Sequence, residues 1–374
     1  MNEQIQKIVS ELPNLKNVTD VWAAVDERFA LGDAAFPADL GIALAEKYGS
    51  EGQLWQYRSV FEHLLRLLTT TPGPENASQA LRLVSSAEVA GKELDRYTAS
   101  LLASGHKAAD LSAAFTGHAS EELRACLVHE LVLRGVDVAA TPGIAGWATS
   151  PHRRYHPLGW LPLTLSDMEG CADLPSYGTH GTSRSMPYGP SESPEPAVIG
   201  DGRVPSVEET TGQATATAMA TAVANWAEGS NGHIEARVFD LSEPLDVGSV
   251  PNTLLALGLR CLDGAGDKAP LSVAVRPPAH AWQLLFAAAS TGGAYTSGSY
   301  GAHGRLAAWQ SMAALAGCPE GAAAHEVEAR VRDCTWHVFE ADTEWFEQVA
   351  WDIGLAALAP GHRRLAVLAA TDTD

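Results

Sequence analysis

The stretch Gln348–Ala370, QVAWDIGLAALAPGHRRLAVLAA, decides the fold. Val349, Trp351, Ile353 and Leu355 recur at every second position, the period of a strand with one buried face. Ala359-Pro360-Gly361-His362 supplies a turn, and RLAVLAA continues as a second apolar strand, so the two runs predict a C-terminal β-hairpin. Upstream, WHVFE, LSVAVR and HIEARVFDL read as further strands. Helices are expected between them near 213–227, 251–262, 279–290, 305–316 and 323–333. Helices set against a largely antiparallel sheet make residues 212–374 a mixed α+β domain.

Residues 1–136 carry a different period. Leu54, Tyr57, Val60, Phe61, Leu64, Leu65 and Leu68 form a helical stripe that stops near Pro72. Thr19 or Asp20 is expected to cap an earlier helix ended by Gly32, and Gly91, Gly105, Gly117 and Gly135 to close later ones. This part reads as an all-α array of paired helices, either a solenoid or a compact bundle. Between the two, residues 137–211 are rich in Gly, Pro and Ser. Trp160, Leu161, Tyr177, Met186 and Tyr188 argue against simple disorder there, and part of the region is expected to pack over the second domain.

Composition narrows the function. The 374 residues carry 25 Lys and Arg against 45 Asp and Glu, a formal charge of −20. So acidic a surface repels phosphate backbones and anionic headgroups, which argues against nucleic-acid and membrane partners. Cys126, Cys171, Cys261, Cys318 and Cys334 lie far apart with no C-x-x-C pair, the pattern of free thiols in a reducing cytoplasm. No secretory leader or bilayer-spanning run is read from the chain. His129-Glu130 and His325-Glu326 lack the second histidine of a zinc metalloprotease helix, because Leu133 and Ala329 stand there. Asp372 and Asp374 could share a divalent cation, but a solvated chain end is the plainer expectation. No metal and no cofactor are assigned.

The candidate chemistry lies in Thr291–Gly317, TGGAYTSGSYGAHGRLAAWQSMAALAG, whose apolar-periodic helix is expected from Leu306 onward. Its glycines are spaced G-x-x-G-x-x-G, which matches neither the dinucleotide nor the Walker fingerprint. Either the glycines allow close packing, or the loop amides receive an anion. In the second case Arg305, Tyr295, Ser299, Tyr300 and Gly301 bind the ligand, and His303 moves protons. In THGTSRS, His180 and Ser183 are candidate catalytic groups and Arg184 a further anion contact, although the G-x-S-x-G elbow is absent. The basic run His152-Arg153-Arg154-Tyr155-His156 could pair with acidic surface or receive an acidic peptide or phosphate.

The segments LPLTLSDME, TGGAYTSGSYGAHGRLAAWQSMAAL, EWFEQVAWDIGLAAL and LAVLAATDTD together resemble an uncharacterised family of actinobacterial hypothetical proteins. The likeness runs mainly from Pro157 to the end and implies no activity and no site residue. The expectation is therefore a cytoplasmic, non-catalytic binding or interaction protein. Its helical array would engage a protein partner, and a polar pocket at 291–305 would take a small anionic ligand. The alternative is a hydrolase or transferase acting on a small anionic or acyl substrate at the same loop. A structural subunit, the third class, would expose a wide apolar face on the array.

Overall fold

The computed structural model describes residues 3–50, 54–87, 91–117, 119–170, 172–184, 203–266, 270–346 and 351–373. The chain divides into two units, Met1–Thr164 with Leu174–Arg184, and Leu165–Asp173 with Ser185–Asp374. No described helix is long and apolar enough to cross a membrane.

The first unit is helical. Helices α1 (Glu3–Glu11), α2 (Thr19–Ala30), α3 (Ala35–Tyr48), α4 (Trp55–Thr70), α5 (Pro74–Ser86), α6 (Gly91–Gly105), α7 (Ser112–Thr116) and α8 (Glu121–Leu133) follow one another. Leu40, Leu44, Leu64, Leu65, Leu83, Leu101 and Leu127 are fully buried between them. The α2 cap differs from expectation. Val18 is the N-cap, and the Thr19 hydroxyl donates to Asn17 Oδ1 at 2.8 Å instead. Gly91 opens α6 rather than closing the helix before it, with φ at +66°. Ser120 does cap α8, accepting from Leu123 N at 3.0 Å. Short helices α9 (Ala145–Ala148) and α10 (Pro151–Tyr155) continue the unit, and β1 (Ser176–Gly178) pairs with β2 (Gly181–Ser183) in a small hairpin.

The second unit is α+β. Its helices are α11 (Gln213–Ala220), α12 (Ala224–Gly229), α13 (Val250–Ala256), α14 (Pro278–Thr291), α15 (Tyr300–Leu315) and α16 (Ala324–Asp333). Its strands are β3 (Val207–Glu209), β4 (His233–Leu241), β5 (Leu271–Arg276), β6 (Thr335–Ala341), β7 (Trp351–Leu358) and β8 (Arg364–Asp372). They form one six-stranded sheet in the order β3-β4-β8-β7-β6-β5, antiparallel throughout. The C-terminal hairpin forms as expected, with Leu358 opposite Leu365 and Trp351 opposite Asp372, but both strands are buried on both faces over most of their length. Val349 lies outside the described residues.

The odd-numbered side of β4 and β8, with Phe239, Leu365, Val367 and Ala369, joins Phe339 and Ala356 in a core closed by α13. Helices α11, α14 and α15 pack on the sheet as well. The single helices expected at 213–227 and 251–262 are each broken, into α11 and α12, and into α13 and a 3-10 turn at Arg260–Leu262. Helix α15 begins at Tyr300, ahead of the expected 305, because Gly301 and Gly304 are helical residues here. A Cβ on Gly304 would lie 2.9 Å from Ser290 Cα, so the glycine lets α15 run close against α14.

Candidate functional site

In the glycine-rich loop between α14 and α15, the polar groups bond other parts of the chain itself. Gly292 ends α14 at φ +84°, and its N–H bonds Ala288 O at 3.2 Å. The Gly293 N–H donates to Thr296 Oγ1 at 2.9 Å, and the Ser299 N–H to Ala289 O at 2.8 Å. The Ala294 N–H donates to Asp372 Oδ2 at 2.7 Å. Asp372, 1% exposed at the end of β8, also accepts from Ser230 Oγ at 2.7 Å and Thr373 N at 3.0 Å. A Cβ on Gly293 would lie 1.9 Å from Asp372 Oδ2, which explains the glycine. Asp372 is thus a buried anchor, not a solvated chain end, and Asp374 lies outside the described residues.

Removing this anchor leaves half-buried donors without their acceptor. Asp372→Ala is expected to cost about 2 kcal/mol in urea unfolding and to speed amide exchange at Ala294. Unchanged exchange there would show that the loop holds without the carboxylate.

Arg305 is equally committed. It is fully buried within α15, and its Nε and Nη2 donate to Glu169 Oε1 and Oε2 at 2.5 and 2.9 Å. Trp309 Nε1 donates to Glu169 Oε1 at 2.8 Å, and Ser166 N to Oε2 at 2.8 Å. One carboxylate therefore receives four N–H groups, a charge-assisted fork that pins Leu165–Asp173 to α15. Glu169 escaped the sequence reading, although Ser166-Asp167-Met168-Glu169 is a capping box in which the carboxylate folds back on the turn. The other residues expected here lie along the same segment. Tyr295 is 63% exposed, Ser299 and Tyr300 are half-buried, Gly301 is buried, and His303 is half-buried in the first turn of α15. Tyr300 takes φ +59°, a costly backbone for a bulky residue.

His180, Ser183 and Arg184 belong to the first unit. They stand exposed on the β1–β2 hairpin and beside it. The hairpin is gripped by Arg66, which donates to Gly178 O at 3.1 Å, Gly181 O at 2.8 Å and Thr182 Oγ1 at 3.0 Å. Tyr177 shares a 2.9 Å hydrogen bond with Ser100, and burial pushes its phenol up to about 12. His180 stacks on His63 with ring centroids 5.4 Å apart, and His63 bonds Asp26 at 2.8 Å. Ser183 thus sits on an exposed two-stranded ribbon rather than on a sharp strand-to-helix turn.

The basic run is partly used inside the first unit. His156 bonds Glu122 at 3.1 Å, and Arg153 donates to Leu161 O at 2.5 Å. Among the described residues, burial raises every thiol. Burial pushes Cys126 and Cys261 up, and Cys334 to about 11. Cys171 lies outside the described residues.

An open groove lies elsewhere in the second unit. It has a volume of about 470 Å³ and is walled by Gln213, Ala216 and Thr217 of α11 on one side and Arg260 on the other. Its floor is the first half of β4, from Ile234 to Arg237. The cause is a mismatch of strand lengths, since β3 has three residues and β4 nine. β3 covers only Phe239–Leu241, after which Thr211 turns the chain away into α11. Two carboxylates near the groove are already engaged. Glu235 accepts from the Arg260 and Cys261 amides at 3.1 and 3.0 Å, and Arg237 bonds Glu209 and holds its carboxyl below the usual range. The Arg260 guanidinium, 70% exposed and 4.0 Å from Glu235, remains turned to solvent. No residue of this groove was singled out from sequence, because the gap it fills is set by strand pairing, which carries no local signal.

A family model matches residues 19–374, so the chain belongs to a family of unknown function (DUF6183). The match is wider than the second-half likeness that the sequence motifs suggested. No curated protein and no solved structure matches the chain.

Proposed function

We propose that this member of DUF6183 is a non-catalytic binding protein that holds its ligand in the β4-edge groove. The observation that carries the proposal is the groove itself. It is within the usual size range for ligand sites, with polar backbone on its floor and a solvent-facing arginine at its rim. The glycine-rich loop, by contrast, has an amide bound by Asp372 and its arginine bound by Glu169. The helical array is the surface offered to a protein partner, as stacked helix pairs often are. Its exposed large apolar side chains among the described residues are Leu31, Trp55 and Tyr155, too few to make the wide face of a structural subunit. A cytoplasmic setting is supported by the four free described cysteines, and an actinobacterial source by the preference for arginine over lysine.

The test is a thermal-shift screen of capped amino acids and short peptides against the full chain and its Ala216→Trp variant, which fills the groove. A ligand at a hundred times its dissociation constant adds about 2.7 kcal/mol of stability. Hits are expected with the parent chain and lost in the variant, whose own melting point stays unchanged. Hits that survive Ala216→Trp would sink the groove as the ligand site.

A further inference from the structure

The groove has a direction and a register. Just past β4, Ser242 N donates to Ser206 O at 3.0 Å, and within it Val238 O accepts from Thr210 N at 2.9 Å. Leu241 N donates the other way, to Arg363 O at 2.9 Å. Even-numbered residues of β4 therefore aim their backbone toward β3, and odd-numbered residues toward β8. Beyond Val238 the strand β3 has ended. Ile234 and Ala236 consequently present N–H and C=O groups to the groove with no strand opposite them among the described residues.

We infer that the groove takes an extended peptide by antiparallel strand addition, with an acidic residue between two small apolar ones. The inference rests on the groove being the ligand site. In narrow antiparallel pairs, one peptide residue lies opposite Ala236 and the next but one opposite Ile234, and each exchanges two hydrogen bonds. Side chains of opposed residues share a face. The two flanking residues therefore point to the α11 wall, where Ala216 and Thr217 leave room for small apolar groups. The central residue points to the side of Glu235 and Arg260. Glu235 is turned into the backbone amides there, 3.7 Å from Arg237 and 4.0 Å from Arg260. Arg237 is also held by Glu209, so the most exposed charge facing the central side chain is the Arg260 guanidinium. An Asp or Glu at that position complements it; a Lys does not.

The experiment titrates the full chain with acetyl-Thr-Val-Glu-Val-Thr-amide by calorimetry. Five comparisons run beside it: the same peptide with Lys for Glu, with both Val amides N-methylated, with the Glu amide N-methylated, and the protein variants Ala236→Pro and Arg260→Glu. The Val amides point to the strand and the Glu amide away from it. Methylating the Val amides is expected to weaken binding more than tenfold, and methylating the Glu amide to leave it within about twofold. Lys for Glu costs about fivefold, and Arg260→Glu reverses that preference. Ala236→Pro removes an N–H that β8 does not use, so the variant folds and loses the peptide.

Equal binding of the two methylated peptides would overturn strand addition while leaving the groove as a ligand site. So would screen hits lost in Ala216→Trp alongside no peptide binding. A dimer abolished by Ala236→Pro would make the occupant a second copy of the chain and also overturn the inference. Peptide binding unchanged by Ala216→Trp would remove the groove itself.

Discussion

Replacing Glu169 by glutamine is expected to destabilise the second unit by about 3–5 kcal/mol. Two considerations set that size. The Arg305 side chain is fully buried, so the variant leaves a guanidinium in the interior with no countercharge from Glu169. The same carboxylate also holds Trp309 Nε1 and Ser166 N, so contacts from α15 and from the Ser166 turn weaken together. Arg305→Ala has a similar cost for the mirrored reason. The double variant Glu169→Leu with Arg305→Met should recover most of the loss, since an apolar pair of similar size needs no desolvation of charge. Urea unfolding followed by tryptophan emission, to which Trp309 contributes, measures all three. A double variant as unstable as the sum of the singles would contradict the account, because independent losses would mean no coupling between the two groups.

The second expected result is an acid weakness centred on His337. This residue sits in β6, 1% exposed, between Val275 of β5 and Ala356 of β7. Burial pushes its imidazole down from 6.5 to about 4, and the Val247 backbone opposes this only in part. The folded form therefore holds the ring neutral, whereas the unfolded chain protonates it below 6.5. Stability is full above pH 6.5 and falls as the pH drops toward 4, by about 3 kcal/mol over that window. His337→Leu removes this loss. The difference in unfolding free energy between the leucine variant and the parent chain should then shift in the variant's favour by about 1.4 kcal/mol per pH unit through the window. Parallel stability curves would show that the ring is not held neutral.

Much of the fold is legible along the chain, because the signals that make it are local. Alternation at Trp351, Ile353 and Leu355 specifies a strand, which the structure buries on both faces from Ile353 onward, and the turn at Pro360-Gly361 joins it to β8. The stripe through Val60, Leu64 and Leu68 specifies α4 in the same way. The start of α15 is not legible, because Gly301 and Gly304 lower helix propensity while serving close contact with Ser290. Tertiary packing overrides propensity there.

The polar contacts are harder still. Glu169 lies 136 residues from Arg305, and Asp372 lies 78 residues from Ala294. Nothing in the local pattern of either residue names its partner. Arg305 and the Ala294 amide each hold a carboxylate from a distant part of the same chain. The groove is invisible for a related reason. It exists because β3 stops short of β4, and strand length carries no mark of what the partner strand leaves open.

Backbone amide chemical shifts, recorded as acetyl-Thr-Val-Glu-Val-Thr-amide is added to the full chain, test the central claim most directly. If the ligand site is the β4 edge, the amides of Ile234, Ala236 and Thr217 move with one saturable curve while those of Ala294 and Ser299 stay in place. Movement at Ala294 and Ser299 with none at Ile234 and Ala236 would put the ligand at the glycine-rich loop and contradict the account.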